Sequence, residues 1–242
     1  MQQYINLNGS WLKAEETVLS HKNRGFQYGD ALFETMHANG TQVQFFQQHM
    51  ERLMRTMKML KMEIPAKISN QGIQQEIKKL LHKNRHLKGA RIRLTVFRNP
   101  GGKYTPTDHS CSWLIESDKL EHDVYTLNSK GLIIGVFPDL KKPVNPLSNL
   151  KTTNDLIYIM AGIHKQEQNL DECLIINPRD EIAEAISSNV FVVKNGVIHT
   201  PPLASGCLDG IMRRQILELA WESGLEINDR DPLWLDELMQ AE

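Results

Sequence analysis

The sequence predicts an α/β fold. Three observations lead there: apolar residues at helical spacing recur in several separate segments, apolar residues at strand spacing lie between them, and no apolar run exceeds strand length. With 242 residues, 40% apolar and 24% charged, the chain can bury a substantial core in one large or two small domains.

The elements follow in order. Tyr4 to Leu7 reads as a short strand ending at the turn-forming pair Asn8-Gly9. Gln47 to Met62 reads as a helix, because Met50, Leu53, Met54, Met57 and Leu60 recur at spacings of three and four. Ile73, Ile77, Leu80 and Leu81 mark a second helix. Arg91 to Phe97 reads as a strand with Ile92, Leu94 and Val96 on one face, and another strand includes Trp113 to Ile115. The polar stretch Glu116 to Asn128 is a candidate linker, although a surface loop within one domain has the same composition. It suggests an N-terminal domain of residues 1–118, a linker of 119–128 and a C-terminal domain of 129–242. Gly131 to Phe137 resembles a buried strand, and a Pro- and Asn-rich passage, Pro138 to Asn149, leads to a helix over Thr153 to Gln168. A strand follows at Cys173 to Asn177. Asn189 to Lys194 and Val197 to Thr200 flank Asn195-Gly196, a pair that enters the positive-φ geometry of a tight hairpin. A last helix runs from Ile211 to about Ser223, with Met212, Ile216, Leu219 and Ala220 on one face and Gly224 as its C-terminal cap.

Bulk properties narrow the function. The 28 basic and 29 acidic residues leave a net charge of -1 with no one-sign block, so neither nucleic acid nor an anionic membrane is an expected partner. A small molecule is. Cys111, Cys173 and Cys207 are widely separated and odd in number, which suits the reducing cytoplasm better than a disulfide framework, and their spacing suggests no metal site. The opening MQQYINLNGSW lacks the pattern of a signal peptide.

Four local features have chemical potential. Gly210 immediately precedes a helix in SGCLDGIMRR, where unpaired backbone N–H groups can receive an anion; an ordinary helix start capped near Asp209 has the same appearance. Arg52 lies at helical spacing from His49 and Thr56, either to reach an anion or as a surface salt-bridge partner. Glu184 sits in a charge-poor stretch, EIAEAISSNVF, as a partly buried carboxylate or the start of a surface turn. Lys151 lies in a strand-to-helix connection, LSNLKTTND; enclosed, it could lose its proton and act as a nucleophile, whereas most isolated lysines are simply solvated.

In combination these features resemble the class IV aminotransferases, the fold-type IV pyridoxal-phosphate family. The resemblance rests on RGFQYGDALFET at Arg24 to Thr35, HMERL at His49 to Leu53, LKTTN around Lys151, EAISSNVF from Glu184 and LDGIMR at Leu208 to Arg213. It covers nearly the whole chain. It implies two α/β domains with pyridoxal 5'-phosphate in the interdomain cleft, Lys151 as the residue bonded to the cofactor aldehyde, and Glu184 at the pyridine nitrogen. Arg52 and the backbone N–H groups of Ile211 and Met212 would hold the phosphate. Tyr28 would line the substrate site or reach a partner chain in a homodimer, and Phe33 would line the site or belong to the core. Asn189 would be structural. The resemblance also implies a further strand and loop beyond DPLWLDELMQAE.

Within the family, Leu156 stands where branched-chain aminotransferases carry tyrosine. GIM before Arg213, and Arg98 followed by GGKY at Gly101 to Tyr104, resemble 4-amino-4-deoxychorismate lyases, with Arg98 as a candidate for the substrate carboxylate. The leading expectation is therefore that lyase, an enzyme of folate biosynthesis forming 4-aminobenzoate and pyruvate. The alternatives are a D-amino-acid or branched-chain aminotransferase, which the FET sequence at Phe33 to Thr35 and the lack of an Arg-x-His pair after Arg98 keep open, or a cofactor-free binding relative.

Overall fold

The computed structural model of the chain describes residues 2–16, 19–68 and 70–242, which form two compact units. The first comprises Met1–Leu127 together with Lys151–Asn154, and the second Asn128–Leu150 with Asp155–Glu242. Most of the stretch read as a linker is thus counted with the first unit. There Leu120 N–H donates to Gly89 O at 2.9 Å and Gly89 N–H to Asp123 Oδ1 at 2.9 Å, tying that stretch to the sheet.

The first unit contains β1 (Tyr4–Leu7), β2 (Ser10–Lys13), α1 (Arg24–Tyr28), β3 (Ala31–Asn39), β4 (Gln42–Val43), α2 (Phe46–Met59), α3 (Asn70–Asn84), β5 (Gly89–Arg98) and β6 (Cys111–Lys119). Its six strands make one antiparallel sheet in the order β2-β1-β6-β5-β3-β4. Ile92, Leu94 and Val96 on β5 are fully buried against Met50, Leu53 and Met57 of α2 and Ile73, Ile77, Leu80 and Leu81 of α3. The strand and helix periodicities therefore meet in one core. The expected helix end at Met62 is corrected to Met59: Lys61 adopts a left-handed φ of 53°, and Met62 N–H turns back to Met57 O at 2.9 Å.

The second unit contains β7 (Ile134–Val136), α4 (Leu156–Glu167), β8 (Glu172–Ile176), β9 (Ile182–Ala185), β10 (Val192–Lys194), β11 (Val197–His199), α5 (Ile211–Glu222), β12 (Ile227–Asn228) and α6 (Leu235–Leu238). Two three-stranded sheets, β7-β8-β9 and β10-β11-β12, each mix parallel and antiparallel pairs. The β10–β11 hairpin turns on Asn195 and Gly196, whose φ values are 52° and 75°.

Three sequence expectations change in or beside this unit. The buried strand over Gly131 to Phe137 shrinks to β7, because Gly131 is left-handed and Ile133 exchanges hydrogen bonds with Asp171 instead of joining a ladder; Leu132 and Ile133 are exposed. The helix expected from Thr153 starts at Leu156, because Thr152 bridges Leu32 of β3. On α5 the expected face is divided: Met212, Ile216 and Leu219 are exposed, whereas Ala220 is buried, as are Ile211 and Arg213. No helix among the described residues is long and apolar enough to cross a membrane.

Truncating Ile77 to alanine removes a fully buried side chain from the centre of the first core, so Ile77→Ala is expected to lower unfolding free energy by about 2–5 kcal/mol. Urea denaturation followed by circular dichroism measures the loss.

Candidate functional site

In the first unit, Lys151 is positioned through its backbone. Phe33 N–H donates to Lys151 O at 3.0 Å and Thr153 N–H to Ala31 O at 3.1 Å, so residues 151–153 dock on the start of β3. Asn154 then packs so closely on Gly29 that a Cβ there would overlap its side-chain oxygen; Gly29 is left-handed, at φ 64°, as the C-cap of α1. The Lys151 ammonium lies 4.4 Å from the centre of the Phe33 ring, and the Arg93 guanidinium lies 3.7 Å from the same centre.

Arg52, on α2, is buried and grips Glu34 of β3 with two parallel bonds: Nε to Oε1 at 2.8 Å and an Nη to Oε2 at 2.5 Å. His49 Nδ1 meets Glu34 Oε2 at 2.7 Å. Burial pushes the Glu34 carboxyl up, but the Arg52 and His49 hydrogen bonds and the charge of Arg52 outweigh it and hold the group below the ordinary carboxylate range. Glu34 was not singled out in the sequence. A signal existed in HMERL, since an arginine and a histidine on the shoulder of an apolar stripe require a buried acceptor.

The two expected substrate residues, Arg98 and Tyr28, both have partners within the first unit. Arg98 is buried, and its donors go to Asp30, Leu60 O, Lys61 O and His109, all at 2.8–3.1 Å. Arg24 also bonds Asp30 and fixes the Gly101, Gly102 and Lys103 carbonyls, which pins the GGKY loop. The Arg98 guanidinium is thus engaged within the unit, and Tyr28 stacks at 5.7 Å on Tyr104 with the Arg24 guanidinium 4.9 Å from its ring.

In the second unit, Glu184 on β9 is buried, and its Oε2 accepts the Leu208 N–H at 2.7 Å. Its Oε1 meets Lys142 in a close ion pair and accepts the Tyr158 hydroxyl at 2.6 Å. Lys142 and Tyr158 were both missed in the sequence: one is half of a Lys-Lys pair in a proline-rich passage, the other an apolar-looking helix position. Helix α5 starts at Ile211 after Gly210, which supplies no side-chain cap. Asn189 anchors this start through Leu208 O at 2.9 Å, and its side-chain oxygen occupies the space that a Cβ on Gly210 would take. Ile211 and Met212 therefore present first-turn amides at a helix end with no acidic residue in its first turn, the electrostatic setting for a phosphate.

Residues 31–242 match the family described as amino-transferase class IV. The chain is 29% identical over 98% of its length, and 81% of the other protein, to a putative branched-chain-amino-acid aminotransferase of Methanocaldococcus jannaschii. It is 30% identical to the aminodeoxychorismate lyase of Bacillus subtilis, across 92% of this chain and 75% of that protein. Its fold matches the branched-chain aminotransferase of Thermoproteus uzoniensis with a TM-score of 0.88, at 23% identity, covering 100% of this chain and 82% of that one. The chain belongs to the class IV aminotransferase family. Family membership makes it a pyridoxal-phosphate-dependent enzyme of that type.

The residues present fit that group chemically: an amine held on an aromatic face, a buried carboxylate for a ring nitrogen, and an uncapped helix start for a phosphate. Among the described residues no cluster of histidine, cysteine, aspartate and glutamate is arranged for a metal ion.

Glu34→Gln is expected to destabilise the protein at neutral pH by about 3–5 kcal/mol, because the buried Arg52 would lose its two-bond ion pair with Glu34. In the parent, this contribution is complete above the ordinary glutamate range and is lost as pH falls through the lowered value of Glu34. Urea denaturation at pH 7 and pH 3 should therefore show a loss of stability on acidification that is smaller in the glutamine variant.

Proposed function

We propose that the chain is a pyridoxal-phosphate-dependent aminotransferase that moves an amino group from a small amino acid to an oxo acid. The observation that carries this choice is the position of Arg98. One of two sequence marks of the lyase branch, it is buried and bonded to Asp30 and main-chain carbonyls rather than held ready for a substrate carboxylate. Leu156 in place of tyrosine argues for a D-amino-acid or broad-specificity enzyme over a strict branched-chain one. The lyase is the second reading, favoured by GIM before Arg213 and by the Bacillus subtilis relative.

Bound pyridoxal phosphate supplies an aldehyde that captures the substrate amine and a ring that takes up the electron pair left when the α-proton departs. Lys151 would hold that aldehyde through Nζ and would move the α-proton at the same nitrogen. The contact with Phe33 and the backbone bonds of residues 151–153 limit the sweep of this amine. Glu184 would accept the ring N–H, which would keep the ring an electron acceptor. The Ile211 and Met212 amides and Arg52 would hold the phosphate, with Glu34 and His49 fixing the direction of the Arg52 side chain. The proposed assembly is a homodimer, testable by light scattering. Three free, buried cysteines support a reducing compartment such as the cytoplasm.

The purified chain given pyridoxal phosphate is expected to develop a visible absorption band that borohydride shifts permanently, and Lys151→Ala is expected to lose both. A parent chain that stays colourless would overturn the cofactor assignment. Incubation with D-alanine, L-leucine or L-glutamate and an oxo-acid acceptor should transfer the amino group. Release of 4-aminobenzoate from aminodeoxychorismate, with no transfer in the other assays, would replace the aminotransferase by the lyase.

A further inference from the structure

We propose that Lys142 is a positioning residue that holds the Glu184 carboxylate in one orientation, and thereby lets the enzyme distinguish a cofactor with a ring nitrogen from one without. The inference rests on the proposed role of Glu184, and its basis lies wholly within the second unit.

Lys142 follows β7, and its N–H donates to Ile176 O at 2.9 Å, which fixes its backbone at the end of β8. Its side chain turns inward to only 4% exposure, in a protein where most lysines are solvated. Two partners meet the ammonium there. One is Tyr158 Oη on α4, at 2.5 Å; the other is Glu184 Oε1, in the close ion pair already described. Tyr158 donates its own proton to that same Oε1 at 2.6 Å, and Leu208 N–H donates to Oε2. Burial and the adjacent Glu184 charge push the phenol well above its ordinary value, so it remains a donor at any working pH.

Three donors from three different elements therefore converge on one buried carboxylate, and one of them brings a full positive charge. A carboxylate with 3% exposure leans on its partners for both charge compensation and direction. The two oxygens are held in a single orientation, Oε1 by the Lys142 ammonium and the Tyr158 hydroxyl and Oε2 by the Leu208 amide. Lys142 thus acts on the cofactor through Glu184, not by contact.

The test compares affinity for pyridoxal phosphate with affinity for its 1-deaza analogue, in which carbon replaces the ring nitrogen, by fluorescence titration of the apo chain. The parent is expected to prefer pyridoxal phosphate by about tenfold or more, the scale of one charge-assisted hydrogen bond. Lys142→Gln is expected to lose that preference, and Lys142→Arg to retain it. A purely structural role would weaken both ligands equally, so a glutamine variant with the parent's preference overturns the inference while leaving the cofactor assignment intact. A parent that binds neither ligand overturns the cofactor assignment, and the inference with it. Should Lys142→Gln fail to fold, the paired change Lys142→Met with Glu184→Gln leaves no unpaired buried charge. That double variant is expected to bind pyridoxal phosphate as well as Glu184→Gln alone; weaker binding would show Lys142 acting independently of the carboxylate and overturn the inference.

Discussion

Two backbone hydrogen bonds, Phe33 N–H to Lys151 O and Thr153 N–H to Ala31 O, set the position on which the proposed chemistry depends. They attach residues 151–153 to the start of β3 through the main chain, so the lysine is located by the sheet. Gly29 permits the attachment, because any larger residue there would strike Asn154. The same strand presents Phe33 to the amine and Glu34 to Arg52. One strand thus fixes two of the expected cofactor-binding side chains at once.

The two units solve the same electrostatic problem in related ways. Each buries a glutamate on a strand, and each brings a cation to it from another segment of chain: Arg52 with His49 in the first unit, Lys142 with Tyr158 in the second. The arginine makes a planar, two-bond grip suited to fixing direction, whereas the lysine is a compact charge sharing its carboxylate with a neutral hydroxyl. Neither pair is strong evidence for stability, since burying charge is costly. Both define orientation.

Much of the fold was legible because helix and strand periods differ. Ile92, Leu94 and Val96 alternate, Met50, Leu53 and Met57 step by three and four, and both sets are fully buried. Asn195-Gly196 announced its hairpin through its positive φ preference. Periodicity failed where an apolar stripe was exposed, as at Met212, Ile216 and Leu219, because spacing names a face and not what covers it. The long strand β3 escaped notice because Glu34 and His37 interrupt its apolar pattern. Lys151, Arg52, Glu184 and Gly210 could be singled out from their motifs. Lys142, Tyr158 and Glu34 could not, since a buried polar residue announces itself only through partners that are distant in sequence.

The return of Lys151–Asn154 to the first unit has a consequence for the order in which the chain takes shape. During synthesis from the N-terminus, the β3 amide of Phe33 has no native acceptor until Lys151 emerges, after all of Asn128–Leu150 has been made. Until then the start of β3 is an unfinished sheet edge, the kind of backbone that pairs with whatever strand it meets. Lys151 is therefore also the closing piece of the first unit, and completion of that unit and placement of the lysine become a single late event.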